Sequence, residues 1–179
     1  MPGWLAFMVL IGGAVAWLSC RAGRSPRRRR SDLDWLPAEL RDAELVWSEK
    51  AFRCDEPVPI AVRIDRAYRL PEGALVLIEF KRRTQHRMQL SDVVELSVQR
   101  YVLQHAGHVV SRRAYVVVIL PDGTRSRALP VELEGAQQVE RRAARLVDLR
   151  ARRVSPSGPT HPALCASCGH RAVCPRTVQ

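Results

Sequence analysis

The chain has 179 residues, 46% of them hydrophobic, and a formal net charge of +11. That length leaves room for one ordinary domain, with a single core, and an appendage. Six arginines between positions 21 and 30 supply more than half of the surplus charge, so the remainder is only moderately basic. Such a balance permits a polyanionic partner without demanding one.

Residues 4–20 form an uncharged apolar run with Trp4 and Trp17 near its ends, long enough to cross a bilayer as a helix. Residues 1–20 are therefore expected to be a transmembrane signal anchor and residues 21–32 a basic juxtamembrane linker. The arginines follow the run instead of preceding it, which places the C-terminal part in the cytoplasm by the positive-inside rule. The triplet Ala14-Val15-Ala16 would suit a cleaved signal peptide, but such peptides carry their charge ahead of the apolar core. Residues 33–53 read as a helix, with Pro37 in its first turn and Leu40, Ala43, Val46, Trp47 and Ala51 at helical spacing.

Residues 61–68 and 74–80 are two strands joined by the turn Leu70-Pro71-Glu72-Gly73. Centring the turn on Glu72 sets Asp65 opposite Glu79 and Arg63 opposite Lys81. Because side chains alternate, Glu79 and Lys81 share a face with Asp65. Two carboxylates directly opposed on a sheet repel each other. A divalent cation with oxygen ligands would offset that repulsion.

Downstream, Lys81, Arg82, Arg83, His86 and Arg87 form the densest basic cluster of the folded part, fit for phosphate contact. Ser91 is expected to cap a helix to about Ala106, with Asp92 and Glu95 near its start and Val94, Val98, Tyr101 and Val102 on its apolar side. The run Tyr-Val-Val-Val-Ile-Leu at 115–120 suits a strand buried on both faces. Residues 125–133 return as an edge strand. Residues 137–153 form an arginine-rich helix expected to bury Val139, Ala143, Leu146 and Leu149. The fold class is thus α/β, a mixed sheet within residues 33–153.

Residues 154–179 comprise a Pro-rich linker and a cysteine-bearing tail. Cys165, Cys168 and Cys174 stand as C-x2-C-x5-C, too close together for a disulfide framework and apt for a metal. A fourth ligand can come from Cys54, His170 or His161. Four cysteines suit either zinc or a [4Fe–4S] cluster.

The Ile64-Asp65 and Glu79-Phe80-Lys81 elements resemble the PD-(D/E)XK nuclease superfamily. With the following helix tyrosine, one early cysteine and the C-terminal thiols, residues 44–175 look like the RecB-type nucleases with an iron–sulfur staple, which include the CRISPR-associated adaptation exonucleases. The resemblance implies a PD-(D/E)XK-like core in which Asp65 and Glu79 bind Mg²⁺ or Mn²⁺ and Lys81 orients the attacking water. It also implies Tyr101 as a catalytic residue, Glu49 as a further metal ligand from a helix, and Cys54, Cys165, Cys168 and Cys174 as cluster ligands. Arg82, Arg83 and Arg87 would contact DNA. The family pattern Q-x-x-x-Y would place glutamine at 97, where Ser97 stands with Gln99 nearby. The leading expectation is a membrane-anchored, metal-dependent deoxyribonuclease. The alternatives are a nuclease-fold binding module without catalysis and a membrane-anchored zinc-ribbon interaction protein.

Overall fold

The computed structural model describes residues 34–157, 163–166 and 168–174. The expected membrane span and His161 lie outside the described residues. Among the described residues no helix is long and apolar enough to cross a membrane.

Five strands form one sheet in the order β1-β2-β3-β4-β5. Strands β1 (Glu44–Cys54), β2 (Ile60–Arg69) and β3 (Leu75–Arg82) make an antiparallel meander. The chain then crosses through helix α1 (Leu90–His105) to β4 (Arg113–Ile119), which pairs parallel to β3. Strand β5 (Leu129–Glu132) closes the far edge antiparallel to β4, and Pro130, which has no N–H to offer a further strand, suits that edge. Helix α2 (Ala136–Arg150) follows and packs on α1.

The β2–β3 register is the expected one: Arg66 faces Ile78, Ala67 faces Leu77, Tyr68 faces Val76 and Arg69 faces Leu75. Gly73, at φ 89°, closes the turn in a conformation that residues with a Cβ rarely adopt. Period-two alternation sorts β3 and β4 onto two faces. Leu75, Leu77, Ala114 and Val116 join Leu96 and Leu103 of α1 in one core. Val76, Ile78, Tyr115 and Val117 meet Trp35, Leu36 and Leu40 in the other, so the segment ahead of β1 covers the sheet face opposite α1.

The helix expected over residues 33–53 is not formed. A 3-10 turn, Ala38–Leu40, leads into β1 instead. The apolar residues that read as one helical stripe divide between the two sheet faces, Leu40 and Ala43 going to one core and Val46 and Trp47 to the other. Pairing along nearly all of β2 satisfies the β1 backbone and decides for the strand. Gln89 caps α1 in place of Ser91, in a reciprocal capping box with Asp92. Helix α2 buries only Val139 fully, and Leu146 is exposed.

Candidate active site

Ladder pairing of β2 with β3 ends at Arg66 and Ile78. One residue further along, the Asp65 side chain takes over: its Oδ2 accepts the Phe80 backbone N–H at 2.8 Å. That bond fixes the carboxylate at the mouth of the hairpin beside Glu79. The Glu79 side chain lies on the α1 face and is only 4% exposed. Its Oε1 accepts from Lys81 Nζ at 2.8 Å, and its Oε2 from Gln99 Nε2 at 2.9 Å. Lys81 Nζ also donates to Glu95 Oε2 at 2.6 Å, so one ammonium bridges a strand carboxylate and a helix carboxylate.

Burial pushes the Glu79 carboxyl from its ordinary 4.5 up to about 7, against the pull of the Lys81 and Gln99 hydrogen bonds, with Asp65 and Glu95 adding repulsion. Burial works to lower Lys81, but its hydrogen bonds to Glu79 and Glu95 outweigh that and hold it above the ordinary lysine value. The site is therefore a buried acid short of positive charge.

What aims α1 at this spot is its first turn. Asp92 accepts the Gln89 backbone N–H at 2.9 Å, and Arg83 grips the same carboxylate with two N–H groups at 2.6 and 2.5 Å. The end of β3 is thereby tied to the start of α1. Three and seven residues further on, Glu95 and Gln99 then come round over Glu79 and Lys81. Gln99 is buried, and its Nε2 also donates to the Arg63 carbonyl at 3.2 Å. Its Oε1 is buried with no partner among the described residues.

Asp65, Glu79 and Lys81 are brought together as expected. Tyr101 is not with them: it lies on another side of α1, its hydroxyl donating to Glu140 Oε1 of α2 at 3.2 Å, while burial and that carboxylate push its pKa up to about 12. The register that the expected glutamine and tyrosine would have filled belongs to Glu95 and Gln99, which sequence reasoning passed over. Their i, i+4 spacing on the helix that follows the hairpin was the available signal. Glu49 sits on a strand, at φ 53°, with its exposed carboxylate 2.8 Å from Arg63. The charges raising Glu79 are Asp65 and Glu95, and Glu49 is not one of them.

Of the three arginines expected at DNA, Arg83 is spent on Asp92, whereas Arg82 and Arg87 are exposed. Cys54 is buried against Tyr101, Val102 and Val139. Cys165 and Cys174 are half-buried and Cys168 is exposed, all as free thiols. Among the described residues no three His, Cys, Asp or Glu side chains are gathered into a metal-holding group.

The sequence matches the family model of the PD-(D/E)XK nuclease superfamily over residues 8–175. A comparison with curated proteins finds no match. Among solved structures, the crystal structure of SSO0001 is similar with a TM-score of 0.54 at 16% identity, over 96% of this chain and 81% of that one. At that identity the likeness speaks for the fold alone.

Proposed function

We propose that this chain, which belongs to the PD-(D/E)XK nuclease superfamily, is a metal-dependent nuclease that hydrolyses phosphodiester bonds in DNA. The observation that carries the reading is the buried Glu79 carboxylate beside Asp65, with Lys81 on its oxygen. Nucleases of this superfamily generally use Mg²⁺ or Mn²⁺, and the residues present fit one: two carboxylates share a site in which burial pushes the Glu79 carboxyl up to about 7. Asp65 and Glu79 would hold the ion. When bound, it supplies Lewis-acid polarisation of the scissile phosphate and a lowered pKa for water.

The chain's own residues do the rest. The Phe80 N–H keeps one Asp65 oxygen fixed and leaves the other for the metal. Gln99 holds Glu79 from behind, so the carboxylate cannot swing away. Glu95 keeps Lys81 protonated and within reach of the site, where an ammonium can orient water and counter the charge that develops on phosphate. Asp65→Asn preserves the acceptor for Phe80 N–H while removing the charge. Full-length protein is expected to cut linear DNA with Mn²⁺, to stop on chelation, and to lose at least about 100-fold in rate with Asp65→Asn at an unchanged melting temperature. Wild-type cleavage by that variant would remove the assignment.

The membrane tether through residues 4–20, with the domain on the cytoplasmic side, belongs to the same proposal and is supported by the apolar run and the arginines behind it. So does a [4Fe–4S] cluster, or zinc, held by Cys165, Cys168 and Cys174 with Cys54. Its support is the donor chemistry and spacing of the tail. Cys54→Ser and Cys168→Ser are each expected to lower bound metal and melting temperature together in anaerobically purified protein. Full metal content in Cys54→Ser would restrict the ligand set to the tail and its histidines.

A further inference from the structure

The β3 strand carries chemistry on both of its faces. Between Glu79 and Lys81, Phe80 points the other way and meets Trp35 edge-on, ring centroids 5.4 Å apart. Two guanidinium groups gather on this aromatic pair. Arg66 lies 5.2 Å from the Phe80 centroid and 5.5 Å from that of Trp35, and Arg125 lies 5.6 and 5.4 Å from the same two rings. Arg82 and Arg125 are both lateral neighbours of Ile119, one on each side of it, so Arg82 shares this face two residues beyond Phe80.

Several arginines elsewhere in the fold rest on acids, among them Arg63 on Glu49, Arg83 on Asp92 and Arg142 on Glu134. Among the described residues none of Arg66, Arg82 and Arg125 has an ion-pair partner. Stacking on a ring orients a guanidinium but leaves its charge and most of its N–H edge unspent. Arg66 uses one of those N–H groups on the Tyr68 hydroxyl at 3.3 Å, and no hydrogen bond occupies the others among the described residues. Two like charges held on one aromatic pair, with a third on the same sheet face, repel unless an anion joins them. The patch also stands at the end of the sheet where β3 and β4 finish, on the face of β3 opposite Glu79.

We propose that Arg66 and Arg125, set by Trp35 and Phe80, together with Arg82 on the same strand face, are a phosphate-contacting surface that carries the DNA backbone flanking the bond to be cut. The proposal rests on the nuclease reading and names the path of its substrate. A backbone passing over this end of the sheet places one phosphate at the carboxylates and its neighbours at Arg82 and the stacked pair. Planar guanidiniums with free edges grip phosphate oxygens two at a time, and the contacts are indifferent to sequence.

The test measures binding of labelled duplex and single-stranded oligonucleotides by full-length protein carrying Asp65→Asn, without divalent ions, across a salt series. Arg82→Gln combined with Arg125→Gln is expected to reduce the slope of log affinity against log salt by about 1.8 on duplex and about 1.4 on single strands. Both side chains are exposed, so the fold should be unaffected, and Arg150→Gln, an equal charge loss at the end of α2, should leave the slope alone. Arg66→Lys should retain binding more fully than Arg66→Gln. A wild-type slope in the double variant overturns the surface while leaving the nuclease reading standing. A reduced slope in a protein that never cuts keeps the surface and removes the catalysis. Weaker binding of the double variant to phosphatidylserine vesicles, with the DNA slope unchanged, would assign the face to a membrane and also overturn the proposal.

Discussion

Glu79→Gln is expected to lose metal-dependent cleavage and gain stability in the same protein. Cleavage should fall at least about 100-fold, because the amide cannot hold a divalent ion beside Asp65. Stability should move the other way, and only at the upper end of the pH range. Glu79 has its ordinary value of 4.5 in the unfolded chain and about 7 in the fold, where burial favours the neutral acid. Between those values the folded state holds a proton that the unfolded state has released. The stability tied to that proton is full below pH 4.5 and is lost as pH rises through 7. Above that, forcing the buried carboxylate to ionise costs up to about 3 kcal/mol.

Glutamine avoids that cost, and its carbonyl oxygen can still accept one of the two hydrogen bonds that Glu79 accepts from Lys81 and Gln99. Denaturation midpoints of wild type and Glu79→Gln should therefore coincide near pH 5 and separate at pH 8. Mn²⁺ should narrow the gap by stabilising wild type alone, since the cation does what the proton did. Equal stabilities at both pH values would show that Glu79 is not held as the geometry describes.

The second large effect falls on Arg83, and on folding instead of DNA. Its side chain is 16% exposed and that of Asp92 only 1%. Removing the guanidinium by Arg83→Ala leaves a buried charge unpaired, at a cost of roughly 3–5 kcal/mol. For a chain of this size that amounts to a fall in melting temperature on the order of 10 °C. Burial works to raise Asp92, yet the Arg83 and Gln89 hydrogen bonds outweigh it and hold the carboxyl below its ordinary value. The pair's contribution is thus present at neutral pH and lost as pH falls below 3.8 through the lower folded value. The deficit of Arg83→Ala should shrink in acid. Folded Arg83→Ala should bind DNA with the wild-type salt slope, and a slope reduced by about 1 would instead return Arg83 to the phosphate contacts.

The residues themselves determined the hairpin and its chemistry. A short turn and a period-two pattern are local, so the alignment of Asp65 with Glu79, and the placing of Lys81 beside them, follow from counting outward from Glu72. The β4 strand and the helix after the hairpin were equally legible, being long runs of one period. Residues 44–54 were not. Their apolar spacing satisfies a helix as readily as a strand, and only pairing with β2, together with a division of side chains between two cores, chose between them.

The same holds for the second half of the site. Which face of α1 looks at Glu79 is a rotation about the helix axis, set by the Arg83–Asp92 clamp and by Leu96 and Leu103 in the core. That rotation brought Glu95 and Gln99 to the carboxylate and sent Tyr101 to Glu140. It also made a structural partner of an arginine that reads in sequence as one more surface cation. Phe80 meets Trp35 and Arg125 across 45 residues of chain in either direction. Local pattern specifies which side chains share a strand face; the neighbours that give those side chains their charge state come from packing between distant segments, which no local pattern encodes.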